Sequence, residues 1–273
     1  MKKLIPLILA LPLLLCCKSG ITWEKVPVNG RFTGVTAPTA DNIPQALGTV
    51  AEDGSYTAPN GTVFTDGSTP LVAKILIDAQ PAMAEVKEVI AFSTRFMTKD
   101  VPESELSNFA VDLVRSETER VVKRKADVGI INFGGIRTDM PEGDVLLDDI
   151  RSMFPFNNKL VWVELPGTAL QRLMEEIAQY GPQCVSGVRM VINDHKLESV
   201  EVGGKPIEPK KKYGVATVDF LLDGGDNIHV AQGATKLITS DLTIGTAVEQ
   251  YVRNLTAEGK AIEYQTDGRV VVK

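Results

Sequence analysis

The sequence predicts an α+β fold with mixed sheets and flanking helices. Two observations carry this. Strand-like and helix-like hydrophobic patterns alternate along the chain, and several strands are joined by turn dipeptides short enough for hairpins, which brings antiparallel pairs into an otherwise α/β order. No internal repeat and no low-complexity linker interrupts the pattern, so one folded domain after an N-terminal segment is the simplest organisation.

Residues 21–70 are rich in Gly, Pro, Thr and Asn, and Asn60-Gly61 and Asp66-Gly67 flank Val63 and Phe64, so this part reads as hairpins and ordered loop. From Ala73 the pattern turns helical, then strand-like at KEVIAFS (87–93). A helix is expected from near Asp100, with Asp100 as cap, Pro102 in the first turn and Glu103 completing a capping box. Leu106, Phe109, Ala110, Leu113 and Val114 then form one apolar stripe at helical spacing, which assigns them to the core. ADVGIIN (126–132) reads as a buried strand, KLVWVEL (159–165) as a second, and Thr168 to about Tyr180 as a helix. Residues 187–207 read as two strands around an Asn193-Asp194 turn, with another turn at Gly203-Gly204. YGVATVDFLLDGGDNI (213–228) is a strand followed by a glycine-rich loop. A last helix is expected at about Thr246 to Leu255, and a closing strand at GRVVVK.

Composition narrows the function classes. With 44% hydrophobic and 23% charged residues the 273-residue chain is globular, and a net charge of -6 without long runs of one sign argues against a nucleic-acid surface. Lys2 and Lys3 precede an apolar stretch, Leu4 to Leu15, of the length of an export signal and too short to span a bilayer. It ends at Cys16-Cys17-Lys18, which resembles a bacterial lipobox. Cys17 suits lipidation better than Cys16, because small Cys16 precedes it whereas Leu15 is large for a cleavage position. Residues 1–17 are thus expected to be a lipoprotein signal, 18–88 an N-terminal extension and 89–273 the main domain. The product would be lipid-anchored to a membrane of the cell envelope, or secreted without the lipid. Cys184 alone would remain in the folded body, leaving no internal disulfide and no cysteine-based metal site.

Three short stretches invite a functional reading. Asn132-Phe133-Gly134-Gly135-Ile136-Arg137 follows the 126–132 strand. Glycines there let backbone amides approach a ligand, and Arg137 offers a planar fork suited to an anion; the spacing is not that of a dinucleotide fingerprint. MFPFNNKL (153–160) has Phe156 followed by Asn157 and Asn158, and DFLLDGGDNI (219–228) has Phe220 ahead of Gly224-Gly225-Asp226. Taken singly, each has a plain structural reading: a tight turn with Arg137 in an ion pair, two phenylalanines bridging into the core, an acidic turn capping amides. Together they offer two aromatic faces for a planar ring, a carboxylate for sugar hydroxyls, and an amide with a guanidinium for an anion.

NFGGIR, PFNN with LVWVELPGTAL, and VATVDFLLDGGD, in that order, resemble the C-terminal substrate-binding domain of the 5′-nucleotidase and UDP-sugar hydrolase family, over about Val89 to the C-terminus. The resemblance implies that the domain binds a nucleoside or nucleoside monophosphate. Phe156 and Phe220 would stack on the base and Asn158 would contact it; Asp226, with Gly225 beside it, would hold the ribose; Asn132, Gly134, Gly135 and Arg137 would meet the phosphate side. Phe133 stands where the family pattern has a further glycine, so the loop is expected to approach the ligand less closely. Pro102 stands where a second family arginine is expected, which removes a phosphate contact. Full-length relatives carry a metallophosphatase domain with two metals held by Asp, Asn and several His. Two histidines, His195 and His229, do not furnish that centre. No catalytic residue, metal ligand or cofactor is therefore assigned to this chain. It is expected to be the binding half of a split 5′-nucleotidase in nucleotide catabolism, with divalent metals on a separate metallophosphatase chain. The alternatives are a lipid-anchored nucleotide or nucleoside binder without hydrolytic function, and a degenerate structural module.

Overall fold

The computed structural model describes residues 34–273; the signal and lipobox expectations, Cys16 and Cys17 included, lie outside the described residues. By internal contact, residues 39–273 form one body. It opens with a short helix, α1 (Ile43–Ala46), and three two-residue strands, β1 (Thr49–Val50), β2 (Tyr56–Thr57) and β3 (Val63–Phe64), joined as an antiparallel meander. The expected turns at Gly61 and Gly67 carry positive φ. Helix α2 (Thr69–Ala79) packs on β1 and β2 and leaves Leu71, Val72, Ile75 and Leu76 exposed.

Strand β4 (Val89–Ser93) leads to helix α3 (Glu105–Val122). Here the sequence reading needs correction: the cap is Ser104, not Asp100. Ser104 Oγ accepts from the Ser107 amide at 3.1 Å and Ser107 Oγ accepts from the Ser104 amide at 2.9 Å, a reciprocal box. Asp100 instead accepts from the Thr98 hydroxyl, Pro102 lies ahead of the helix, and Glu103 accepts from Asn108 and the Asp267 amide. Ser104→Ala is therefore expected to cost about 1 kcal/mol in urea denaturation and Asp100→Ala within about 0.5 kcal/mol. The reverse order would restore Asp100 as the cap.

Strand β5 (Val128–Ile131) is followed by β6 (Gly143–Leu146), which pairs with β4, and by α4 (Leu147–Met153). Then come β7 (Lys159–Pro166), α5 (Gly167–Tyr180), β8 (Cys184–Ser186), β9 (Val188–Asn193), β10 (Lys196–Val202), β11 (Lys205–Pro206) and β12 (Lys212–Val218). Strand β13 (Lys236–Thr243), helix α6 (Ile244–Ala257) and β14 (Val270–Val272) complete the chain. The β9–β10 loop is Asp194-His195, both at positive φ, because Asn193 pairs with Lys196; the turn sits one residue beyond the expected Asn193-Asp194. Gly203-Gly204 makes the expected β10–β11 turn.

The main sheet runs β13-β7-β12-β5-β8, and a second runs β11-β10-β9-β14. In the main sheet β12 is parallel to β5 and antiparallel to β7, so parallel and antiparallel pairs coexist. This is the expected mixed α/β fold. Helix α3 covers all five main-sheet strands, and α5 packs on β7 and β12 and also on β10 of the second sheet. Strands covered in this way lose the polar alternation of a half-exposed strand. Thus β5 is buried at every position, and β12 at every position after Lys212. The predicted α3 stripe (Leu106, Phe109, Ala110, Leu113, Val114) is all core. Cys184 is a free, buried thiol whose ionisation burial pushes well up.

Candidate functional site

Topology brings the three singled-out stretches to one edge of the main sheet. Because β5 and β12 are parallel, their C-terminal ends point the same way; β7 runs opposite, so its N-terminal end lies there too. β13 is antiparallel to β7, with Thr243 opposite Lys159, which adds the start of α6 to the same edge. Loops beyond the carboxyl ends of parallel strands are where open α/β sheets hold ligands.

The first stretch leaves β5 at Ile131. Asn132 is buried at 5% exposure, and residues 133–135 form a 3-10 turn. The Arg137 amide donates to Met153 O at the end of α4, fixing the loop against the second stretch. Lys99 Nζ donates to the carbonyls of Phe133 and Ile136, and Gln183 Oε1 accepts from the Phe133 amide. Neither Lys99 nor Gln183 was signalled by the sequence, since both act from elements distant in the chain. Phe133 does not lie at the cavity: it is partly buried against the core, so its side chain does not stand between the loop and a ligand.

In the second stretch the two phenylalanines part company. Phe154 is core, whereas Phe156 is 47% exposed, and Asn158 holds the chain by accepting the Ile244 amide on its carbonyl. In the third, Leu221 is fully buried and anchors a 3-10 turn that leaves Phe220 48% exposed. A Cβ at Gly225 would meet Phe220 O at 2.3 Å and the Phe220 ring at 2.7 Å, so only glycine lets that ring lie against the loop.

The loops enclose a cavity of about 230 Å³ lined by Asn132, Gly134, Gly135, Arg137, Phe156, Asn158, Phe220 and Asp226. Eight of the nine binding residues read from the sequence line it, and Gly225 supports Phe220 from behind. Arg137 Cζ stands 5.8 Å from the Phe156 ring centroid, within cation–π range, and its guanidinium donates to Gly134 O at 3.2 Å. It makes no ion pair with a carboxylate among the described residues, contrary to the plain structural reading of the turn. Asn132 Nδ2 donates to Asp226 Oδ2 at 2.7 Å, tying the first loop to the third. Larger clefts, of about 660 and 470 Å³, open elsewhere, but neither is walled by two aromatic rings.

The residues present do not fit a dinuclear metal centre. Among the described residues no group of three or more His, Cys, Asp and Glu is placed to hold a metal ion. His195 is in the β9–β10 turn, and His229 faces Glu176 (Nδ1 to Oε2 3.6 Å), outside the cavity lining.

The family model for the 5′-nucleotidase C-terminal domain matches residues 82–233. The chain is 25% identical over 174 residues to protein UshA of Yersinia enterocolitica, covering 62% of this chain and 31% of that protein. It is 30% identical over 211 residues to the cell wall protein Lmo0130 of Listeria monocytogenes, covering 68% and 26%. Among solved structures, the 5′-nucleotidase precursor from Thermus thermophilus superposes with a TM-score of 0.65 at 26% identity, over 74% of this chain and 43% of that one. The match thus spans less than a third of either curated relative.

Proposed function

This chain belongs to the 5′-nucleotidase C-terminal domain family, and from that premise we propose that its cavity binds a nucleoside or nucleoside monophosphate. The observation that carries the reading is the convergence of Phe156, Phe220, Asp226 and Arg137, from three separate loops, on one 230 Å³ space. Two half-exposed aromatic rings suit a nucleobase, whose stacking tolerates many bases. Asn158 lies at the Phe156 wall and contacts the base edge, while Asp226 accepts from the ribose hydroxyls. Arg137, with the Gly134-Gly135 turn, meets the phosphate side. The cavity is smaller than the roughly 300–1,000 Å³ of enclosed drug-sized sites, so base and part of the sugar are covered and the phosphate projects outward. That is where a metallophosphatase centre would act.

In this reading the chain is the binding half of a 5′-nucleotidase serving nucleotide catabolism, and a separate metallophosphatase chain brings the divalent metals. The lipobox-like Cys16-Cys17 supports a lipid anchor at the cell envelope. The chain positions a substrate, and positioning without an activated water leaves most of the hydrolytic barrier standing. With Mg²⁺, Mn²⁺ or Zn²⁺ added, purified chain is expected to release no phosphate from AMP above background. Supplying the metallophosphatase chain restores turnover, which Arg137→Ala then reduces. Metal-dependent turnover by the lone chain that disappears in an Asn132/Arg137 double variant would refute the split-enzyme reading. Nucleoside binding without turnover in any pairing would favour a non-catalytic binder.

A further inference from the structure

The Asn132–Asp226 hydrogen bond has its own logic. Asp226 has φ 52° and ψ 34°, and Asn227 follows at φ 61°. Two consecutive left-handed non-glycine residues persist only where surrounding contacts hold them. The contact that reaches Asp226 comes from 94 residues away: Asn132 Nδ2 donates to Asp226 Oδ2 at 2.7 Å. Asn132 itself has little freedom, being 5% exposed at the end of β5.

The glycine pair explains how the two side chains fit. A Cβ at Gly135 would lie 2.9 Å from Asn132 Oδ1, closer than real Cβ contacts come. At Gly134 it would lie 3.2 Å from Asn132 Nδ2 and 3.3 Å from Asp226 Oδ2, against both ends of the bond at once. Neither glycine has a positive φ, so left-handed backbone does not require them here. What they provide is room beside the amide and the carboxylate.

We infer that Asn132 is a positioning residue for Asp226, not a phosphate contact, and that the Gly134-Gly135 pair keeps space for their hydrogen bond. The inference rests on the nucleoside reading and gives that site its preference for a vicinal diol. An ionised carboxylate has roughly four acceptor positions on two oxygens. One neutral donor on Oδ2 fixes the plane of the group without cancelling its charge. Oδ1 then remains directed and charged, ready to accept from adjacent sugar hydroxyls. Without the donor, the carboxylate turns freely and each diol contact has to order it first.

The test is calorimetric titration of the full chain with adenosine and with 2′,3′-dideoxyadenosine. The parent is expected to bind adenosine more tightly. Asn132→Ala should weaken adenosine about three- to tenfold and leave the dideoxy analogue within about twofold, the size of one ordinary net hydrogen bond, since the diol contact is disordered and not removed. Gly135→Ala retains Asn132 but displaces its amide, and should give the same selective loss. It also stands in if Asn132→Ala does not fold by circular dichroism. In an Asp226→Asn background, Asn132→Ala should add nothing further. A parallel loss for both ligands, or a diol preference that survives in Asn132→Ala and Gly135→Ala alike, overturns the inference and leaves the nucleoside reading intact. A parent that takes up neither ligand overturns that reading, and this inference with it.

Discussion

Arg269→Ala is expected to lower the unfolding free energy by ~3 kcal/mol, the low end of the range for breaking a buried ion pair. Arg269 is 8% exposed, and its five donors are all used. Nη1 reaches Asp112 Oδ1 at 2.7 Å and Val185 O at 3.1 Å; Nη2 reaches Asp112 Oδ2 at 3.1 Å and Asp267 Oδ2 at 3.0 Å; Nε reaches Asp267 Oδ1 at 3.0 Å. Removing it leaves Asp112 with only the Tyr264 hydroxyl of the described partners, and unties the chain before β14 from α3. Asp267 is about half exposed and recovers water, which keeps the loss at the low end. Burial alone would pull the guanidinium down, but the hydrogen bonds to Asp267 and Asp112 outweigh it and raise it. The same bond holds the Asp267 carboxyl below its ordinary value of 3.8. A depressed carboxyl stabilises the fold above that value and loses the effect as pH falls through the lower, folded value, so the acid-side decline should flatten in the variant. Urea denaturation at neutral and acidic pH reads both effects. A loss under about 1 kcal/mol, the size usual for solvent-exposed ion pairs, would show the cluster to be solvated.

Such a cluster was not legible in the sequence, because its members lie on α3, on the segment before β14 and in β8. What was legible follows from burial. The α3 stripe and α5 repeat apolar residues at helical spacing, while β5 and β7 are short apolar runs of strand length, and each was placed within a few residues. Strand β13 was missed: it is an edge strand pairing only with β7, and KLITSDLT has no buried residue to mark a face. Strand β8 is only three residues long, and β6 runs directly into α4 with no turn residue between. At the site, glycine, aromatic, amide and charged residues directly before or after strands marked each loop. That the loops meet is a consequence of the parallel β5–β12 pair, visible only in three dimensions. The hydrogen bond from Asn132 to Asp226 was hidden for the same reason; the family resemblance implies a place for Asn132, with Arg137, on the phosphate side.

Phe156→Ala and Phe220→Ala should each weaken nucleoside binding by about 1–3 kcal/mol, fivefold to over a hundredfold in affinity. Both rings are about half exposed, so their removal creates no core cavity of the kind Phe109 would leave, and stability should change little. Their contributions to the fold and to the site are separable for that reason. Phe154 provides the internal contrast: two positions earlier and buried, it should lose stability on truncation while the cavity keeps both aromatic walls. The Arg137 guanidinium stands beside the Phe156 ring, and Gly225 gives Phe220 its seat.

The central claim is that the three-loop cavity holds a nucleobase between Phe156 and Phe220. Calorimetric titration of adenosine and AMP into the parent chain and into folded Phe156→Ala and Phe220→Ala variants tests it most directly. The account predicts saturable one-to-one binding to the parent, lost or weakened at least fivefold in each variant. Binding of equal strength to all three proteins, or no binding to the parent, would contradict it.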